Sequence, residues 1–214
     1  MSRYEFDSNG TANPKVDNED VNSQSSSNSH DYLEEQTSTK GNTVAKDLAD
    51  FKRKTIESRG YYIARYEASN NNGVVESKAN KSVWTDINQP AAATTAQTMY
   101  GEEKPFTSDL INSLAWDTAL VYMQTFSGDQ DYSRQGSLNS SKQNTGISGD
   151  VKLNIYDMAS NVYEWSTETS PYPGFPCVRR GGNFSIGSIP SSYRAAHSTT
   201  GSTSNLSFRP LLYL

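Results

Sequence analysis

From Asn154 to Leu214 no apolar period of 3.6 residues is sustained, and Gly, Ser and Asn alternate with aromatic residues throughout. A helix packed on a core needs a continuous apolar stripe. This stretch therefore folds as short strands joined by long ordered loops. Cys177 is the only cysteine, so no internal disulfide ties those loops and packing must hold them. Three dense blocks stand out in it: Asn154 to Trp165, Cys177 to Phe184, and Leu206 to Leu214.

The upstream chain reads as support for these blocks, and 214 residues leave room for one globular unit. Residues 1–42 are dominated by Ser, Asn, Asp, Glu and Thr and bury too little apolar surface to offset ordering entropy. They are expected to form a disordered polar tail or tether, or an attachment arm that orders on a partner. The domain then spans 43–214. Thr43 can cap a helix whose buried face is Val44, Leu48, Phe51 and Thr55 or Ile56, closed by Arg59-Gly60. Tyr61 to Glu67 reads as a strand covered on both sides, and Asn70 to Gly73 as a turn. A short helix is possible from Ala91 to Met99. Thr107 or Ser108 can cap a second long helix with the face Leu110, Ile111, Leu114, Ala115, Thr118, Val121 and Tyr122, ending near Phe126. Gly128 to Gly149 is polar loop.

A net charge of −5 gives no cationic footprint for nucleic acid. No apolar run approaches the ~20 residues of a membrane span, and the N-terminus lacks the apolar core of a Sec signal. Neither a P-loop nor His-Glu-x-x-His is present.

The strand Gly60-Tyr-Tyr-Ile-Ala-Arg-Tyr-Glu67 between helices, the block Asp157-Met-Ala-Ser-Asn-Val-Tyr-Glu-Trp165, the Arg179-Arg-Gly-Gly182 turn and Ser207-Phe-Arg-Pro210 together resemble the formylglycine-generating enzyme (sulfatase-modifying factor) family. The likeness covers about residues 44–214. It implies an α+β, C-type-lectin-like fold: a twisted antiparallel sheet, two helices, extensive irregular loops, and first and last strands paired. Tyr61–Glu67 and Leu206–Tyr213 are the strand-like runs that would pair, with Pro210 at an edge or a bulge. The segments Cys177 to Phe184 and Ser207 to Leu214 are more similar to a non-catalytic branch, the variable proteins diversified by retroelements.

The resemblance places the two copper-holding cysteines of the oxidases on Ile186 and Ser191, neither of which supplies a thiolate. Iron-dependent relatives use three histidines, and this chain has two, His30 and His197. No copper or iron is expected, and the chain is expected not to be an enzyme. The resemblance also implies a structural calcium held by the Asp157 and Glu164 side chains and the Ser160 and Val162 carbonyls, with Ser160 standing where glycine is usual. The plainer reading is that Asp157 caps a turn and Glu164 pairs with Arg179 or Arg180. Cys177 reads as a small buried hydrophobe, Trp165, Phe208 and Gly181-Gly182 as framework, and Arg194 and Arg209 as braces for loops.

Asn183 to Asn205 shows no helical or strand period and is bracketed by framework, the usual mounting of a recognition loop. Its mixture of rings with Ser, Gly and Asn resembles a paratope. Asn183, Phe184, Ile186, Ser188, Tyr193, Ala195 and His197 are the expected exposed ligand-binding set. The functional expectation is receptor or host-surface recognition of a protein or glycan ligand, from a phage tail or a bacterial surface, with possible homo-oligomerisation or display on a larger assembly. The alternative is a degenerate paralogue of the enzyme family with a structural or partner-binding role.

Overall fold

The computed structural model describes residues 1–15, 32–100 and 104–214. In chain order the elements are β1 Arg3–Phe6, β2 Ala12–Lys15, α1 Leu48–Glu57, β3 Tyr62–Ile63, β4 Ser69–Asn71, β5 Val74–Glu76, α2 Gln89–Gln97, β6 Thr107–Leu110 and α3 Ser113–Phe126. A single 3-10 turn, Tyr132–Arg134, precedes β7 Val151–Lys152, β8 Ile155–Tyr156, β9 Tyr163–Thr169, β10 Cys177–Arg180, β11 Arg194–His197, β12 Leu206–Phe208 and β13 Pro210–Tyr213. The fold is α+β, with three helices among the described residues.

Two sheets organise it. One runs β11-β10-β9-β12, antiparallel except where β12 lies parallel to β9, and the other runs β3-β13-β6. The remaining strands form three hairpins, β1-β2, β4-β5 and β7-β8. Apolar residues divide into two clusters. The first gathers Phe51, Leu114, Trp116, Leu120 and Tyr213 between α1, α3 and β13, and the second gathers Ala92, Trp165, Cys177 and Phe208 between α2 and the larger sheet.

Helix α1 starts at Asp47, whose side chain accepts from Asp50 N, rather than at Thr43. Leu48, Phe51 and Thr55 form its buried face as the spacing predicts, while Ile56 is 69% exposed. Arg59, with φ 61°, turns the chain out of the helix. Helix α3 is capped by Asn112, whose side chain accepts from Ala115 N at 2.8 Å. The expected start at Thr107 or Ser108 fails because Thr107–Leu110 pairs with β13 instead. That ladder satisfies the backbone of four residues that a helical start would leave partly unbonded.

The closing strand also differs from expectation. Leu206–Tyr213 divides at Arg209 into β12 and β13, which serve different sheets. β13 is central rather than an edge; Pro210 is its first residue, where the missing N–H costs no ladder bond. The expected strand Tyr61–Glu67 contracts to Tyr62–Ile63, which does pair with β13. Asn70 to Gly73 turns as expected, with Asn72 and Gly73 at positive φ.

The expected polar tail contains packed, hydrogen-bonded residues where it is described, alongside exposed ones. Phe6 and Arg3 are buried, Tyr4 N donates to Asp117 Oδ2 at 2.9 Å, and Leu33 bridges to Thr169 in both directions. Polar composition misleads here because remote partners satisfy the polar groups: Arg3 Nη1 donates to Tyr32 O, and Asn42 Nδ2 donates to Thr169 Oγ1. Residues 16–31, including His30 and the serine-rich run, lie outside the described residues.

Candidate functional site

Arg194, inside the segment Asn183 to Asn205, belongs to a charged frame with no access to solvent. Alternation along β10 sends Arg180 to one face of the sheet and Arg179 to the other. Arg180 donates to Asp117 Oδ1 at 2.7 Å and to Glu168 Oε2 at 3.1 Å. Arg194 of β11 donates to Glu168 Oε1 at 2.8 Å and to Asp117 Oδ2. All four groups are buried, so two arginines and two carboxylates cross-link α3, β9, β10 and β11. Arg209, between β12 and β13, grips both oxygens of Glu164 at 3.0 and 2.6 Å and donates to the carbonyls of Ala64 and Tyr156. The brace role expected of Arg194 and Arg209 is what the geometry shows, and Arg180 shares it. The partner of Glu164 is Arg209, not Arg179 or Arg180.

The glycine pair sits where side chains cannot. A Cβ on Gly182 would lie 2.1 Å from Ala159 O, and one on Gly181, at φ 80°, would lie 2.6 Å from Met158 O. This apposition clamps the start of the segment Asn183 to Asn205 onto the Asp157–Trp165 block. Phe184 N donates to Asn161 O at 2.8 Å. The far end is clamped too: Ser191 N donates to Gln135 O, Ser192 N to Ser133 O, and Trp116 Nε1 to Ser191 O.

Between these clamps the loop from Phe184 to Ser188 stands clear of the core. Ile186 is 49% exposed, Ser185 and Ser188 are exposed, and Phe184 is half-buried. With Ser137 to Ser141 the loop lines an open groove of about 580 Å³, walled by hydroxyls, amides, Leu138 and Phe184 without a charged group. Of the expected set, Tyr193 and His197 are half-buried on the adjacent sheet face. Two residues of the set are buried. Asn183 is fully buried and accepts from Ser185 N at 2.8 Å, and Ala195 is buried opposite Arg179 in the ladder. Ala195 shares a face with Arg179, Tyr193 and His197, as strand alternation requires, and its short side chain leaves it buried among them.

On that face the Arg179 guanidinium lies 4.3 Å from the Tyr163 ring centroid. Tyr193 packs 5.9 Å from Tyr163, and His197 meets Trp165 edge-on at 5.3 Å. Burial and the Arg179 charge push the His197 pKa below its ordinary value, so this imidazole is neutral at pH 7. Burial holds the Cys177 thiol up at about 12, far from a reactive thiolate. Ser191 is buried and donates to Tyr132 O.

The residues expected to hold calcium do not fit the ion as arranged. Both Glu164 oxygens are taken by Arg209, and the Asp157 oxygens accept from Gly146 N at 2.6 Å and from Ser148 Oγ. Asp157 thus ties the 146–148 loop, as its plainer reading expects, and a cation beside Glu164 would meet the Arg209 charge.

No known family's sequence profile matches the chain, and no curated protein does. Among solved structures it is similar to the one titled "Crystal Structure of CarF", at 18% identity and a TM-score of 0.45, covering 78% of this chain and 82% of that one. It is also similar to variable protein 1 of Treponema denticola, at 19% identity and a TM-score of 0.35, covering 68% of this chain and 54% of that one.

Proposed function

We propose that the chain is a non-catalytic ligand-binding domain of C-type-lectin-like type, displaying Phe184 to Ser188 and the neighbouring sheet face to a protein or glycan on a cell surface. One observation carries the reading: an exposed, partly apolar loop is held at both ends by backbone bonds to the carbonyls of Asn161, Ser133 and Gln135, so its ends are positioned before any ligand arrives. Preorganisation of this kind lowers the ordering cost of binding. The groove beside the loop offers uncharged donors and acceptors with one ring and one leucine, a surface suited to orienting a polar ligand.

The non-catalytic part of the reading draws on chemistry already engaged elsewhere. Cys177 is a buried thiol, Ser191 is committed to a backbone carbonyl, and Asp117, Glu164 and Glu168 are paired with arginines. On this proposal the domain works from a phage tail or a bacterial surface, and retroelement-driven variation falls on codons for exposed loop residues. Sister copies of the gene varying at buried and exposed codons alike would contradict that last element.

The test is a glycan and surface-protein binding screen with wild type, Phe184→Ala, Ile186→Ala and His197→Ala, each checked for native circular dichroism. Wild type should bind at least one class, and the two loop variants should lose most of that binding. Equal binding by all four proteins, or binding to neither panel, would sink the proposal.

A further inference from the structure

Four arginines lie in or beside the larger sheet, and three of them, Arg180, Arg194 and Arg209, are matched to buried carboxylates. Arg179 is not: among the described residues no carboxylate pairs with it and no hydrogen bond engages its guanidinium. Its Nε is buried without a partner, while the residue as a whole is half-buried. The tip therefore reaches solvent while the inner edge of the fork is already stripped of water. The guanidinium lies over the Tyr163 ring at 4.3 Å from its centroid, a contact that restrains it. Burial raises the Tyr163 hydroxyl above its ordinary value and lowers the His197 imidazole, so neither of these neighbours carries negative charge at pH 7.

We infer that Arg179, framed by the half-buried rings of Tyr193 and His197, is an anion site for a carboxylated sugar. The inference rests on the binding role proposed above and names the chemistry of the ligand. The planar guanidinium matches a carboxylate, which accepts two parallel N–H bonds from it. The adjacent rings offer an apolar surface for the C–H face of a pyranose. An acidic peptide would present the same carboxylate, but the half-buried rings of Tyr193 and His197 favour a ligand with a flat C–H face.

The experiment measures binding of the full chain to oligogalacturonate, glucuronate-containing and sialylated oligosaccharides, each beside its carboxyl-reduced or desialylated counterpart, and to polyglutamate. Arg179→Gln and Arg179→Lys are run in parallel, with thermal melts to show that both fold. At least one acidic sugar should bind at least about tenfold more tightly than its neutral counterpart, as expected for a charge-assisted bidentate pair. Arg179→Gln should abolish that preference and its salt dependence, and Arg179→Lys should keep part of the salt dependence with weaker binding. Three results overturn the inference: no preference for any acidic sugar, a preference untouched by Arg179→Gln, or tighter binding of polyglutamate. Binding of a neutral glycan or a protein through Phe184 and Ile186, unchanged in Arg179→Gln, would overturn this inference and leave the proposed function standing.

Discussion

Asp117→Asn isolates the buried charge frame, because it keeps shape and removes one charge. Asp117 accepts from Arg180 at 2.7 Å, from Arg194, and from Tyr4 N at 2.9 Å, so it joins α3 to β10, β11 and the N-terminal hairpin. In the variant an amide N–H faces one guanidinium, and two buried cations share the single charge of Glu168. Removing one partner of a buried pair costs about 3–5 kcal/mol. For a chain of this size each kcal/mol lowers the melting temperature by about 2–4 °C, giving a fall of roughly 10 °C. The assay is urea unfolding followed by circular dichroism, with Arg180→Met and the double variant completing a cycle. Since Asp117→Asn with Arg180→Met restores one cation to one anion, the double variant should be more stable than additivity predicts by about 1–3 kcal/mol. A single variant within about 1 kcal/mol of wild type, with additive behaviour in the cycle, would show that the frame contributes little.

Burial raises the carboxyls of Asp109 and Asp150 to about 6, against 3.8 in the unfolded chain, so the fold favours their protonated forms. Their contribution is fully present below pH 3.8 and is lost as pH rises through about 6; between pH 4 and 7 unfolding free energy should drop by on the order of 2–3 kcal/mol per group, and Asp109→Asn should flatten the profile. Gly182→Ala places a Cβ 2.1 Å from Ala159 O and 2.8 Å from Ile189 O, both backbone atoms, and should cost about 3 kcal/mol or more, seen as a large fall in melting temperature. Because protein donors occupy Asp157 and Glu164, millimolar calcium should leave the melting temperature unchanged; a rise that saturates with calcium would contradict the arrangement. Cys177 should resist thiol reagents in the native state and react once urea unfolds the chain.

Local signals in the sequence were sufficient where chain neighbours decide the structure. The Leu48, Phe51 and Thr55 face of α1, the Asn70 to Gly73 turn and the tight approach at Gly181-Gly182 all follow from spacing or residue type. They were insufficient where partners come from far along the chain. Nothing near Arg3 or Asn42 in sequence announces Tyr32 O or Thr169 as its partner, so a packed segment read as a tail. Asn112, better placed than Thr107, wins the start of α3 only because β13 arrives to pair with Thr107–Leu110. The candidate site was legible as a segment, while its exposure was not: Asn183 is buried with its side chain accepting from Ser185 N, and Ala195 is covered on the face it shares with Arg179.

The two arginines under β10 and β11 also act as a key for strand register. A slip by one residue would turn Arg180 outward and leave Asp117 and Glu168 facing the Arg179 position or apolar side chains, a mismatch of full charges in a dry interior. Alignment of the sheet is thus specified from below, by groups that no ligand touches. Ile186 and Ser188, whose side chains make no hydrogen bond among the described residues, carry none of that information. Those positions can change identity without asking the fold to be solved again, which is the property a surface needs if its targets change faster than its architecture.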